Sequence, residues 1–180
     1  MDEAKAILHE LSCSVDVIDS SAIEGLLKAV NDHWRIFVYG TGRSGLMLKA
    51  FAMRLMQLDY PVFVVGETIT PAIERDDLLI VASASGETPS VVLMAKLAQK
   101  QEARLFTICS NSISSLARVH IPDIVIKAPS KCSDVSSSSQ PLGSLFEQML
   151  LLLFDGLVLC MEQEGKGSNQ SMAQRHASLE

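Results

Sequence analysis

Cysteine is scarce in this sequence, and its spacing suggests no pairing. Cys13, Cys109, Cys132 and Cys160 are all there are in 180 residues, and no two stand as C-x-x-C. That pattern supports neither a disulfide framework nor a thiolate metal site, and it points to a reducing cytoplasm. Histidine is equally thin: His9, His33, His120 and His176 are scattered, so no metal site is expected. Basic clusters are missing as well. With 15 Lys and Arg against 21 Asp and Glu the net charge is −6, which argues against a broad nucleic-acid surface. An anionic ligand must therefore be met by local donors and a few placed cations. The N-terminus begins Met-Asp-Glu, with no basic region ahead of an apolar core, so no signal peptide is expected. The most apolar stretch, residues 149–161, is interrupted by Asp155 and Gly156 and reads as too short to cross a membrane. What remains is 48% hydrophobic and 20% charged, the balance of a single domain that buries a real core.

Strand and helix patterns alternate along the chain. Residues 3–18 read as a helix, and Ser21 with Glu24 has the spacing of a capping box that opens a second, so residues 1–33 form an N-terminal helical segment. Short β-branched or apolar runs at 35–39, 61–65, 78–82, 104–109 and 124–126 read as five strands. Helical patterns separate them at 46–58, 89–101 and 111–118, and a long helix follows at 142–163. This alternation predicts an α/β domain over residues 34–163. It is a three-layer αβα sandwich on a five-stranded parallel sheet in the order 2-1-3-4-5, flavodoxin-like in plan. Residues 164–180 form a tail with a flexible glycine break and a short helix capped by Ser171. The helix at 46–58 is apolar on nearly every face and is expected at a subunit interface. The serine run 136–139 reads as a loop, either a lid or plain surface.

Two loops carry chemistry. The third strand runs out into Ser83, Ser85, Gly86, Glu87 and Thr88, with Pro89 at the first turn of the next helix, where its missing N–H costs nothing. Small hydroxyls beside a helix N-terminus supply donors and partial positive charge, which suits a phosphate dianion. The same residues also suffice for a Ser/Thr helix cap with no ligand. After the first strand come Gly40, Gly42, Arg43, Ser44 and Gly45. The predicted strand order reverses between strands 1 and 3, so both loops flank the crevice where open parallel sheets bind ligands. Gly40, Gly42 and Gly45 also match G-x-G-x-x-G, with Glu67 at the end of the second strand placed for a ribose hydroxyl. That dinucleotide reading has no use for Arg43 and Ser44 and leaves residues 83–88 unexplained.

The loop of Ser83, Ser85, Gly86, Glu87 and Thr88, with Gly42, Arg43, Ser44 and Gly45 opposite, resembles the SIS (sugar isomerase) domain. The likeness tightens at residues 51–56, 65–68, Thr70, Pro71, 141–143, Phe146, Glu147, Arg175, His176 and Ala177. Together these resemble the 6-phospho-3-hexuloisomerase family over most of the chain beyond the N-terminal helices. The resemblance implies conversion of D-arabino-3-hexulose 6-phosphate to fructose 6-phosphate, after formaldehyde is fixed onto ribulose 5-phosphate in the ribulose monophosphate pathway. It implies a phosphate held by Ser44, Ser83, Ser85 and Thr88, with backbone donors at Gly86 and Glu87 and with Arg43 alongside. It also implies a homotetramer with sites at subunit boundaries, so that His176 reaches a neighbour's site. The loop motif is shared by other proteins. An SIS isomerase for another sugar, such as arabinose 5-phosphate, and a non-enzymatic sugar-phosphate sensor remain alternatives.

The implied reaction can be checked against the residues. Moving a carbonyl from C3 to C2 requires a proton to leave C2 and one to arrive at C3, through a 2,3-enediol. One base on one face suffices, with donors for the enediolate oxygens, and neither a metal nor a redox cofactor is required. Glu147, at the start of the long helix, is the candidate base; otherwise it merely complements the helix dipole. His176 is a candidate proton shuttle or donor, or else a solvated tail residue. Arg43 polarises the carbonyl, neutralises phosphate or forms an interface ion pair, and Glu67 is a second carboxylate or strand-end packing.

Overall fold

The computed structural model describes residues 1–16, 18–128 and 138–178. Residues 136 and 137 of the serine run, and Cys132, lie outside the described residues. Five strands form one parallel sheet: β1 (Ile36–Tyr39), β2 (Val62–Val64), β3 (Leu78–Ser83), β4 (Arg104–Cys109) and β5 (Ile124–Val125). Their order is β2-β1-β3-β4-β5, as the alternation of patterns predicts. Among the described residues seven helices accompany them: α1 (Asp2–Val15), α2 (Ser20–Asp32), α3 (Gly42–Gln57), α4 (Pro89–Lys100), α5 (Ser115–Val119), α6 (Ser144–Gln163) and α7 (Asn169–Gln174). β3 is buried along its whole length because both faces of the sheet are covered, which explains its unbroken apolar run.

The two faces are unequal. On one, α2, α3 and α6 close over Ile36, Val38, Leu78, Ile80, Phe106 and Ile108, and Phe51 of α3 stacks on Phe154 of α6 with ring centroids 4.3 Å apart. On the other, α4 and the short α5 cover Phe37, Leu79, Val81 and Leu105. Helix α6 corrects one expectation. At 20 residues it is long and apolar enough to cross a membrane, so length does not exclude a span. Phe146, Met149, Leu150, Phe154 and Leu157 are instead buried in the protein's own core. Helix α3 packs on α6 and the sheet but leaves Leu46, Met53 and Met56 in contact with solvent.

Four helix starts differ from the sequence pattern, the short α5 among them, which begins at Ser115 behind its cap Ser114 rather than at residue 111. Asp19, not Ser21, caps α2, its side chain accepting from the Ser21 N–H at 3.0 Å. Ser168 caps α7 in a reciprocal capping box, and Ser171 is its partner at the third helical position rather than the cap. Helix α3 begins at Gly42, four residues ahead of the apolar periodicity, because Gly45 lies directly on Gly40: a Cβ there would stand 2.5 Å from the Gly40 carbonyl oxygen.

One ion pair ties the start of β1 to the start of β3. Arg35 donates through Nε and Nη2 to the two carboxylate oxygens of Asp77 at 2.8 and 2.7 Å, and its guanidinium lies 5.6 Å from the Phe37 ring. The Asp77 side chain is 3% exposed and also accepts the Glu74 N–H at 2.6 Å. Asp77→Ala leaves Arg35 the Glu74 carboxylate at 3.4 Å and the Ala72 carbonyl at 3.3 Å but unpairs the Glu74 N–H, and is expected to cost about 2–3 kcal/mol of stability in urea unfolding. A loss under about 1 kcal/mol would mark the pair as an ordinary solvated contact.

Candidate active site

A cleft of about 180 Å³ opens where the strand order reverses, lined by Thr41, Ser44, Ala82, Ser83, Ala84, Ser85, Thr88, Gly143 and Glu147. It gathers both loops that the sequence singles out, together with the start of α6. The helix N-termini around it share a feature. Thr41, Thr88 and Gly143 are the N-caps of α3, α4 and α6, and none makes a side-chain capping bond. By contrast α2, α5 and α7 are capped by Asp19, Ser114 and Ser168. Each uncapped terminus brings unpaired N–H donors and about half a positive charge, so three of them around one cleft favour an anion strongly.

The hydroxyls are arranged to donate. Ser85 Oγ accepts the Glu87 N–H at 3.1 Å, and Ser83 Oγ accepts the Gly86 N–H at 3.2 Å and lies 3.1 Å from Thr88 Oγ1. A hydroxyl that accepts from the backbone keeps its own proton for an outside acceptor. The N–H groups of Gly86 and Glu87, expected to face the ligand, thus act through these two serines. The Glu87 carboxylate points elsewhere: Oε1 accepts the Ser115 N–H at 2.8 Å at the start of α5. The Ser115 hydroxyl, the Ser115 N–H and nearby Arg118 together hold Glu87 below the usual carboxylate range. Gly86 has φ +66°, and an added Cβ would lie 2.1 Å from Ser114 Oγ, so the loop is seated directly on α5.

Glu147 is 4% exposed and lines the cleft from the first turns of α6. An exposed glutamate merely serving the helix dipole would look different. Arg43 Nε stands 2.9 Å from Glu147 Oε2, while the rest of the Arg43 side chain is 57% exposed at the mouth. The structure therefore brings Ser44, Ser83, Ser85, Thr88 and Glu147 together, with Arg43 at the rim. His176 is not among them. It is exposed beyond α7, next to Arg175, which pairs with Asp59 at 2.8 Å past the far end of α3. The 16 residues of α3 put that end ~24 Å from the cleft, so His176 has no reach to its own subunit's site.

Glu67 does not line the cleft; its carboxylate pairs with Lys49 Nζ at 2.9 Å just beyond β2. Arg54 donates to Gln57 Oε1 at 2.9 Å on its own helix. Thr41 and Gly143 join the cleft without having been marked as site residues, although both stand inside motifs that the sequence displays, after Gly40 and after Pro141. Among the described residues no cluster of three or more His, Cys, Asp or Glu is placed to hold a metal ion.

This chain is similar to known proteins in sequence and in fold. The SIS domain model matches residues 30–154. The 3-hexulose-6-phosphate isomerase of Bacillus subtilis is 39% identical over 97% of this chain and 95% of its own. That of Mycobacterium gastri is 37% identical over 97% of this chain and 88% of its own. A solved structure from Methanococcus jannaschii, from which a function of 3-hexulose-6-phosphate isomerase was inferred, superposes with a TM-score of 0.85 at 27% identity over the whole of both chains. The chain belongs to the SIS-domain family, in the branch of the 3-hexulose-6-phosphate isomerases.

Proposed function

We propose that this protein interconverts D-arabino-3-hexulose 6-phosphate and fructose 6-phosphate, with Glu147 as the base. The observation that carries this reading is a cleft bordered by three uncapped helix N-termini and lined, among the described residues, by one carboxylate, that of Glu147. The phosphate is held by the hydroxyls of Ser44, Ser83, Ser85 and Thr88 and by the start of α4. Phosphorylation of O6 prevents a five-membered ring from closing onto the C3 carbonyl, so the substrate arrives open-chain. Glu147 removes the proton on C2 and a 2,3-enediolate forms. Glu147 returns the proton to C3 while the O2 hydroxyl passes its own to O3, so that C2 becomes the carbonyl and C3 the alcohol, leaving fructose 6-phosphate. Arg43, already against Glu147, neutralises the developing oxyanion.

Self-association, to a homotetramer with sites at subunit boundaries, completes the reading. It covers Leu46, Met53 and Met56 of α3 and lets a neighbour's His176 approach the cleft that its own subunit cannot reach. Cys13, Cys109 and Cys160 are free thiols, in keeping with a reducing cytoplasm. The test generates the hexulose phosphate from ribulose 5-phosphate and formaldehyde with a hexulose-phosphate synthase, then reads fructose 6-phosphate. Product that depends on this protein is the expected result. No turnover, with thermal stabilisation by a different sugar phosphate, would overturn the substrate assignment while leaving the binding site in place.

A further inference from the structure

Glu10 lies on α1, a helix outside the residues that match the SIS domain, yet its carboxylate reaches the approach to α6. It accepts the Ser139 N–H at 3.1 Å, the Ser139 hydroxyl at 3.4 Å and the Gln140 side-chain amide at 2.9 Å. Burial pushes its pKa upward, but hydrogen bonds from Ser138, Gln140 and Ser139 outweigh this and hold it below the ordinary glutamate value. Ser138 and Gln140 are themselves buried, and Ser138 Oγ accepts the Gln140 N–H at 3.0 Å. No slack separates this anchor from the base. Leu142 is held at φ +57°, Ser144 Oγ donates to the Pro141 carbonyl at 2.7 Å, and the Glu147 N–H donates to Gly143 at 3.1 Å.

We propose that Glu10 is a positioning residue for Glu147, clamping residues 138–140 so that the start of α6 presents Gly143 and the base to the cleft. The inference rests on the assignment of Glu147 as base. The phosphate hydroxyls belong to the start of α3, to β3 and to the loop before α4, none of which Glu10 touches, so the clamp governs turnover and not substrate binding. Misplacement of a reacting group by about 1 Å costs on the order of 10²-fold.

The experiment compares Glu10→Ala, Glu10→Gln and Leu11→Ala in steady-state kinetics, well below each variant's unfolding temperature. Leu11 packs against the core from the same helix and has no bond to residues 138–140, so it reports loss of α1 packing alone. Glu10→Ala is expected to lower kcat by about 10- to 100-fold with KM held within about threefold. Glu10→Gln keeps one acceptor oxygen and is expected to recover part of that loss, while Leu11→Ala lowers the melting temperature and leaves kcat in place. Equal kcat losses in Glu10→Ala and Leu11→Ala would overturn the clamp in favour of plain packing. Unchanged kcat in Glu10→Ala would overturn it too, and a Glu147→Gln control run alongside separates the cases. If that control is inactive, the base stands and only the clamp fails; if it is active, the base assignment fails with it.

Discussion

Glu147→Gln is expected to lower kcat by about 10²–10⁴-fold while binding of fructose 6-phosphate stays close to wild type. The substitution keeps the shape of a side chain that is 4% exposed, and it keeps an oxygen able to accept from Arg43 Nε, now 2.9 Å away. What it removes is the ability to take the proton from C2. Solvent is a poor substitute because the carboxylate is enclosed by the start of α6 and the β1 and β3 loops. Two measurements check this: steady-state turnover, and incorporation of solvent deuterium at C3 of fructose 6-phosphate. A variant that binds but neither turns over nor exchanges has lost its base. Were Glu147 only a partner for the helix dipole, the variant would lose about 0.3–1 kcal/mol of stability and keep its kcat. Retained turnover would therefore end the proposed mechanism, though not the membership of the family.

Most of what positions this base is legible in the sequence. The runs at 36–39, 78–83 and 104–109 are short, apolar and separated by helical periodicity, and a right-handed parallel sheet leaves few ways to order them. The crevice then follows from the order of the strands, and Ser83, Ser85 and Thr88 fall at its edge by position alone. Local competition hides other details. Asp19, Ser20 and Ser21 all offer capping groups within three residues, and the carboxylate, the stronger acceptor, takes the first turn of α2. At α7 the pair Ser168 and Ser171 replaces the Ser/Glu form of the capping box, so the pattern points three residues too late. The early start of α3 depends on Gly40 and Gly45 meeting, a contact that no helix propensity registers. Long-range partners leave no local mark at all. Glu10 meets Ser139 across 129 positions, and the distance of His176 from the cleft follows from α7 docking at the far end of α3.

Gly86→Ala is expected to lower kcat/KM by about 10²-fold, carried mainly by KM, because the substitution displaces the phosphate loop without touching the base. The backbone at φ +66° is already unfavourable for alanine, by about 1–2 kcal/mol. The larger obstacle is steric. The new methyl group would stand 2.1 Å from Ser114 Oγ and 2.5 Å from Ser114 Cβ, so turning the hydroxyl aside does not clear it. Ser114 is fully buried and caps α5 by accepting the Ala117 N–H at 3.2 Å, and it yields only if that helix start shifts. The loop is tied to the same place by the Leu116 N–H on the Gly86 carbonyl at 2.9 Å and by Glu87 on Ser115. It therefore moves away from α5 as a unit, taking Ser83, Ser85 and Thr88 out of register with the start of α4. Adding Ser114→Gly removes both clashing atoms and is expected to restore part of kcat/KM, the remaining deficit reflecting the backbone strain and the lost cap. Gly25→Ala is the control: nothing lies within 4 Å of the added methyl, and turnover should be unchanged. Wild-type KM in Gly86→Ala would show that the substrate phosphate is held somewhere other than the loop between β3 and α4.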